Sequence, residues 1–181
     1  MPSPSLPSAS KQYLLIPALL SLLCALHSGC LLYSLSGSSL PKEAKTFTIQ
    51  DLQSKVALGP TTLADQITQG LHDVLTQKTN LKEKTTDGDV QFDGIITSFK
   101  YSPLAPSTKD DQTTGSRVQL SITVQMNYIN KHDNNFSFKK KDFTQTEDIE
   151  AGKESTEEAN MVETIIKKLI QDIYNASIAN W

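Results

Sequence analysis

Val118-Gln-Leu-Ser-Ile-Thr-Val-Gln-Met-Asn-Tyr128 alternates without a break, with Val118, Leu120, Ile122, Val124, Met126 and Tyr128 on one side and polar residues on the other. Successive side chains of a strand point to opposite faces, so the pattern makes one face apolar and the other wet. Such alternation belongs to an antiparallel sheet that is covered on one side only. This stretch is the spine of the expected fold.

Downstream, His132-Asp-Asn-Asn135 supplies turn chemistry. Phe136 and Phe138 then open another strand, which runs past Lys139-Lys-Lys141 to Phe143 and Ile149. Upstream, the turn Asp87-Gly-Asp89 precedes a strand from Val90 to Tyr101. Val90 and Phe92 share one parity while Ile95, Phe99 and Tyr101 share the other, so a bulge is expected at Gly94. Ser102 to Ser116, with Pro103 and Pro106, is expected to be a polar loop. Thr46-Phe-Thr-Ile49 alternates as a further half-buried strand.

Two segments have helical spacing instead. Leu63, Ile67, Leu71, Val74 and Leu75 form one apolar stripe, behind Thr61 and Thr62 as possible caps. Val162, Ile165, Ile166, Leu169, Ile173 and Ile178 form the other, and Ser155-Thr-Glu-Glu158 matches a capping box at its start. The order is β-α-β-β-β-α. It predicts an α+β domain, a two-layer α/β sandwich whose mainly antiparallel sheet carries two helices on one face.

The N-terminal part has a different character. Pro- and Ser-rich residues lead to Lys11 and then to an apolar run from Tyr13 to Leu26. That run is short of the roughly 20 residues that a spanning helix needs. One basic residue, a short apolar core and small Ser28-Gly29 before Cys30 have the form of a secretory signal. The segment resembles bacterial lipoprotein signals, in which such a Cys receives lipid. Residues 1–29 are then a signal peptide, 30–45 a lipidated tether and 46–181 the folded domain. Cys24, the other cysteine, falls in the discarded part, so the mature chain has no disulfide partner for Cys30. No acidic residue follows Cys30 closely. By resemblance to lipoprotein sorting signals, this favours the periplasmic face of the outer membrane.

The composition narrows the chemistry. The chain carries 17 basic against 20 acidic residues, a net charge of −3. A mildly acidic chain whose one arginine is Arg117 lacks the basic footprint of nucleic-acid binding. His72 and His132 stand alone, in no metal-ligand spacing, and no nucleophile motif is present. Asp87, Asp89 and Asp93 alternate, but no acidic residue closes a calcium loop around them. We therefore expect no enzyme, no metal and no cofactor. Lys139, Lys140 and Lys141 are the one charge run. They guard a sheet edge against pairing, or they form, with Arg117, an anion site for phosphate groups.

Several short motifs together resemble one family. Tyr33-Ser-Leu-Ser-Gly37 follows Cys30, and Lys45-Thr-Phe47 with Ile49 opens the first strand. Asp87-Gly-Asp89, Gln91-Phe92 and Gly94 come next, and Gln171-Asp-Ile-Tyr-Asn175 with Ala179-Asn-Trp181 ends the chain. In this order they are similar to the LptE lipoproteins of lipopolysaccharide assembly, of the Bacteroidota type. The resemblance implies an α/β sandwich and a non-catalytic partner of the outer-membrane β-barrel LptD. Such a partner plugs the barrel, assists its assembly and contacts lipopolysaccharide. The competing expectation is a stand-alone lipid-anchored carrier or solute-binding module, which requires a preformed apolar pocket.

Overall fold

In the computed structural model, residues 40, 43–105, 108–109, 112–113 and 116–179 are described. Cys30, Tyr33, Gly37 and Trp181 lie outside them. The elements are β1 (Thr46–Ile49), β2 (Gln53–Ser54), α1 (Leu63–Lys78), β3 (Lys82–Glu83), β4 (Val90–Leu104), β5 (Thr108–Lys109), β6 (Gln112–Thr113), β7 (Arg117–Asn130), β8 (Phe138–Glu150) and α2 (Glu154–Ser177).

The sheet order is β3-β1-β4-β7-β8, with β2 also on β4. β4, β7 and β8 are antiparallel, in the registers Leu104 with Arg117, Val90 with Asn130, and Arg117 with Glu150. β1 and β2 lie parallel to β4 on its other side, and β3 parallel to β1. The expected α+β sandwich is the observed one, and both helices pack on the same sheet face.

The alternation of β7 translates directly into burial. Leu120, Ile122, Val124, Met126 and Tyr128 are fully buried beneath the helices. Each such side chain stabilises the fold by about 1.5–3 kcal/mol relative to exposure. From above, α1 contributes Leu63, Ile67, Leu71 and Leu75, and α2 contributes Val162, Ile165, Ile166, Leu169 and Ile173. On the other face polar side chains pair across strands: Gln119 with Asp148, Thr123 with Thr144 and Gln125 with Asp142, each at 2.9 Å.

Four sequence expectations need correction. The register shift of β4 falls between Ile96 and Ser98, not at Gly94. Gly94 keeps the buried parity of Val90 and Phe92 and lies opposite Met126. A Cβ there would stand 2.3 Å from the Met126 sulfur, so the glycine serves close packing. The stretch from Ser102 to Ser116, expected as a loop, contains strand among its described residues, because β4 runs to Leu104 and β5 pairs with β6. The capping box does not form: α2 starts two residues early at Glu154, with Lys153 as a cap that makes no side-chain bond. Thr62 caps α1 likewise without a side-chain bond.

Candidate functional site

Three features lie outside the core, and the first is a clip at one end of the sheet. Asp89 Oδ2 accepts from Lys45 N at 2.8 Å, from Thr46 N at 2.9 Å and from the Thr46 hydroxyl at 2.9 Å. Thr46 Oγ1 in turn accepts from Asp89 N. His132 Nε2 stands 3.3 Å from the other carboxylate oxygen. The Lys45 amide bond, aided by the Thr46 groups and His132, holds the Asp89 carboxyl well below the usual carboxylate range. Gly88 presses against the β1 backbone so closely that a Cβ would meet Phe47 C at 2.7 Å. Asp87 adopts φ 61° and pairs with Lys131. The Asp87-Gly-Asp89 motif and the Lys45-Thr-Phe47 motif are thus two halves of one clip. These carboxylates are engaged structurally, and no cluster of three or more metal-binding groups occurs among the described residues. His72, on α1, bonds to Glu83 at 2.9 Å. That bond raises its pKa above the ordinary histidine value.

The second feature is the lysine run. β8 is an edge strand, and its register shifts between the Met126–Lys141 and Tyr128–Phe138 pairs. Two residues of β8 therefore oppose Asn127 alone, the arrangement of a β-bulge. Lys140 takes φ 51° there, and its N–H donates to Asn127 Oδ1 at 2.8 Å. Asn127 is fixed by Asp93, whose carboxylate accepts its Nδ2 at 2.6 Å. Lys141 lies over the Phe138 and Phe143 rings, 5.2 and 5.4 Å from their centroids. Lys139 and Lys140 are exposed. Arg117 is not among them. It stands nine residues from Met126 along β7, a separation of about 30 Å, and faces Asp148 at 3.6 Å.

The third is a groove between the helices, which sequence reasoning missed. It has a volume of about 640 Å³ and is lined by Gln66 and Gly70 of α1 and by Val162, Glu163, Ile166 and Ile170 of α2, among others. Its one sequence signal was Gly70, a glycine inside a helix. A Cβ at that position would stand 2.2 Å from Ile170 Cδ1, so the glycine sets how closely the helices approach.

These features define a small α+β domain with structural carboxylates, a cationic sheet edge and an apolar helix groove. The sequence model of LptE, described as lipopolysaccharide-assembly, matches residues 44–177. The chain belongs to the LptE family. No curated protein sequence matches it. Its backbone is similar to that of lipoprotein B from Nitrosomonas europaea, at 15% identity and a TM-score of 0.45, covering 74% of this chain and 81% of that one. It is similar also to a minor lipoprotein from Acinetobacter baumannii, at 16% identity and a TM-score of 0.43, covering 72% and 89%. The rare lipoprotein B of Shewanella oneidensis gives 11% identity and a TM-score of 0.42, covering 71% and 89%.

Proposed function

We propose that this chain is a lipid-anchored, non-catalytic component of lipopolysaccharide assembly. In this reading, residues 1–29 are removed and Cys30 carries the lipid. The tether to residue 45 places the domain at the outer membrane, facing the periplasm, where it acts as plug and assembly partner of an LptD-type barrel. The observation that carries the reading is the family match, which spans nearly the whole folded body, 44–177. The filled interior between sheet and helices suits a plug, which needs a rigid outer surface more than an internal cavity. Purification of the tagged chain from solubilised outer membranes tests it: a large barrel protein is expected to come with it. Recovery of the chain alone contradicts the plug role.

For lipopolysaccharide contact, Lys139, Lys140 and Lys141 are the proposed phosphate-facing group, with Arg117 acting at a separate point on the same strand pair. Replacing all four with Gln is expected to weaken lipopolysaccharide binding, and unchanged binding removes the assignment. The α1–α2 groove supports a second reading, a stand-alone carrier for an apolar solute. That reading expects an apolar fluorescent probe to bind the domain and a Gly70→Leu change to displace it.

A further inference from the structure

β8 ends the sheet, and β7 covers only one of its two sides. Ala151 N donates to Ser116 O at 2.9 Å, continuing the register that sets Glu150 against Arg117. Hydrogen-bonded and non-hydrogen-bonded pairs alternate along an antiparallel ladder. The odd-numbered residues of β8 therefore bond to β7, while Asp142, Thr144, Thr146 and Asp148 turn their amides and carbonyls outward. These outward groups make no hydrogen bond among the described residues. The bulge at Lys139 and Lys140 closes the open segment on one side. On the other, Glu150 O accepts from Lys153 N at 3.2 Å. An open strand edge of this kind is a template for another strand. The opposite edge offers little, since β3 has two residues.

The side chains of β8 indicate which strand fits. Lys141 makes no ion pair among the described residues. Glu147 gives Oε1 to Lys168 of α2, and its Oε2 has no partner among the described residues. Both point to the helix face, opposite Met126 and Leu120. Asp172, the other nearby charge on α2, is held by Gln145. Asp142, Thr144 and Thr146 point to the polar face, opposite Gln125, Thr123 and Ser121.

If β8 meets β8 of a second copy, outward residues must face outward residues, so the competing registers differ by two residues. With Thr144 on the two-fold axis, Lys141 lies opposite Glu147 of the second copy, and Asp142 lies opposite its Thr146. An axis at Asp142, Gln145 or Thr146 instead sets Asp142 against Asp142, Asp148 or Glu150 of the second copy. Like charges directly opposite are destabilising. An axis at Phe143 leaves Lys141 opposite Gln145, without an acidic partner. One register thus accommodates every charge.

We propose that β8 pairs with β8 of a second copy about a two-fold axis through Thr144, joining two chains into one continuous antiparallel sheet. About six backbone hydrogen bonds and two Lys141–Glu147 ion pairs connect the copies. The same patch is used twice, so the assembly closes as a dimer. Neither the lipid anchor nor barrel partnership enters the argument, which concerns a chain whose β8 edge no other protein covers. Lys139 and Lys140 lie beyond the paired segment and stay in solvent. The contact falls below the usual size of about 1,200 Å² for a stable interface, so dimers are expected at about micromolar concentration and above.

The test uses the full mature chain in detergent, with micelles in excess of protein. Thr144→Cys sets two thiols across the axis with Cα atoms about 5.5 Å apart, within disulfide reach. This variant is expected to oxidise to a covalent dimer. Thr146→Cys sets its thiols four residues apart along the strand, about 13 Å, and is expected to stay monomeric. Equal yields from the two variants, or no dimer from Thr144→Cys, overturn the proposal. Adding Glu147→Lys to the Thr144→Cys chain is expected to lower the yield about tenfold. Adding Lys141→Glu as well is expected to restore it, because the exchanged charges again face each other. An unchanged yield in the first, or no recovery in the second, also overturns the proposal. In the chain without substitutions, amide exchange at Thr144 and Thr146 is expected to slow as concentration rises from about 1 μM to about 1 mM. Exchange that does not respond to concentration contradicts the pairing.

Discussion

Asp87 and Lys140 share a backbone device and put it to opposite uses. They are the two non-glycine residues of positive φ among the described residues, at 61° and 51°, and both stand at the end of the sheet where the chain enters. Around Asp87 the local groups are consumed: its carboxylate pairs with Lys131, Gly88 N donates to the Thr48 hydroxyl, and Asp89 gathers Lys45 and Thr46. Around Lys140 only the backbone is used, through Asn127, and the ammonium is left to solvent. A left-handed residue can close a structure upon itself, or it can turn a charge outward. Which it does depends on whether the neighbouring polar atoms find partners within the fold.

The largest expected effect attacks the closed side. Asp89→Ala removes the acceptor of three hydrogen bonds and is expected to cost about 3 kcal/mol in urea unfolding at neutral pH. A loss below about 1 kcal/mol would equate the clip with the open bulge. The same residue sets a pH dependence. Its folded pKa is depressed, so its contribution is complete above the ordinary carboxylate range near 4 and fades as pH falls through that value and below. The Asp89→Asn variant is expected to show a flatter stability profile over that acidic range, as measured by thermal unfolding.

Next comes Gly88→Ala. The added carbon would press on backbone atoms of Phe47 and Thr48, which cannot step aside, so a loss of about 2 kcal/mol is expected by the same assay. Tyr128→Phe has the opposite sign. Tyr128 packs between the Phe92 and Phe138 rings, and its buried hydroxyl makes no hydrogen bond of ordinary geometry among the described residues, only a weak interaction with Asn130. Removing that hydroxyl is expected to leave stability unchanged or raise it by about 1 kcal/mol. Destabilisation would show that the interaction with Asn130 outweighs the cost of burying the hydroxyl. The smallest effect belongs to the open side: Lys140→Gly relieves the left-handed strain and is expected to stabilise by about 0.5–1 kcal/mol. If it destabilises instead, the Lys140 side chain has a structural role.

Much of the fold was legible because burial and period agree. The strict alternation of β7 and the apolar stripes of α1 and α2 leave one arrangement that buries them all. β2 and β3, Gln53–Ser54 and Lys82–Glu83, were invisible because two exposed polar residues carry no period. Sequence parity puts the β4 bulge three residues early because Ile95 and Ile96 are both apolar, and parity alone cannot choose between them. Structure resolves it: Ile96 is fully buried and Ile95 is not. The capping box failed because α2 starts at Glu154, and the Glu154 carboxylate accepts from Gly152 N. For the candidate site, the two halves of the clip appeared in sequence as separate motifs. Only strand register brings them together, and the same register separates Arg117 from the lysines.

As a member of the LptE family, this domain serves lipopolysaccharide assembly. Controlled depletion of the chain in the bacterium that makes it, followed by measurement of lipopolysaccharide on the cell surface, is the decisive experiment. Surface lipopolysaccharide is expected to fall while synthesis continues and the molecule accumulates inside the envelope. Surface lipopolysaccharide that stays at its normal level in depleted cells would contradict it.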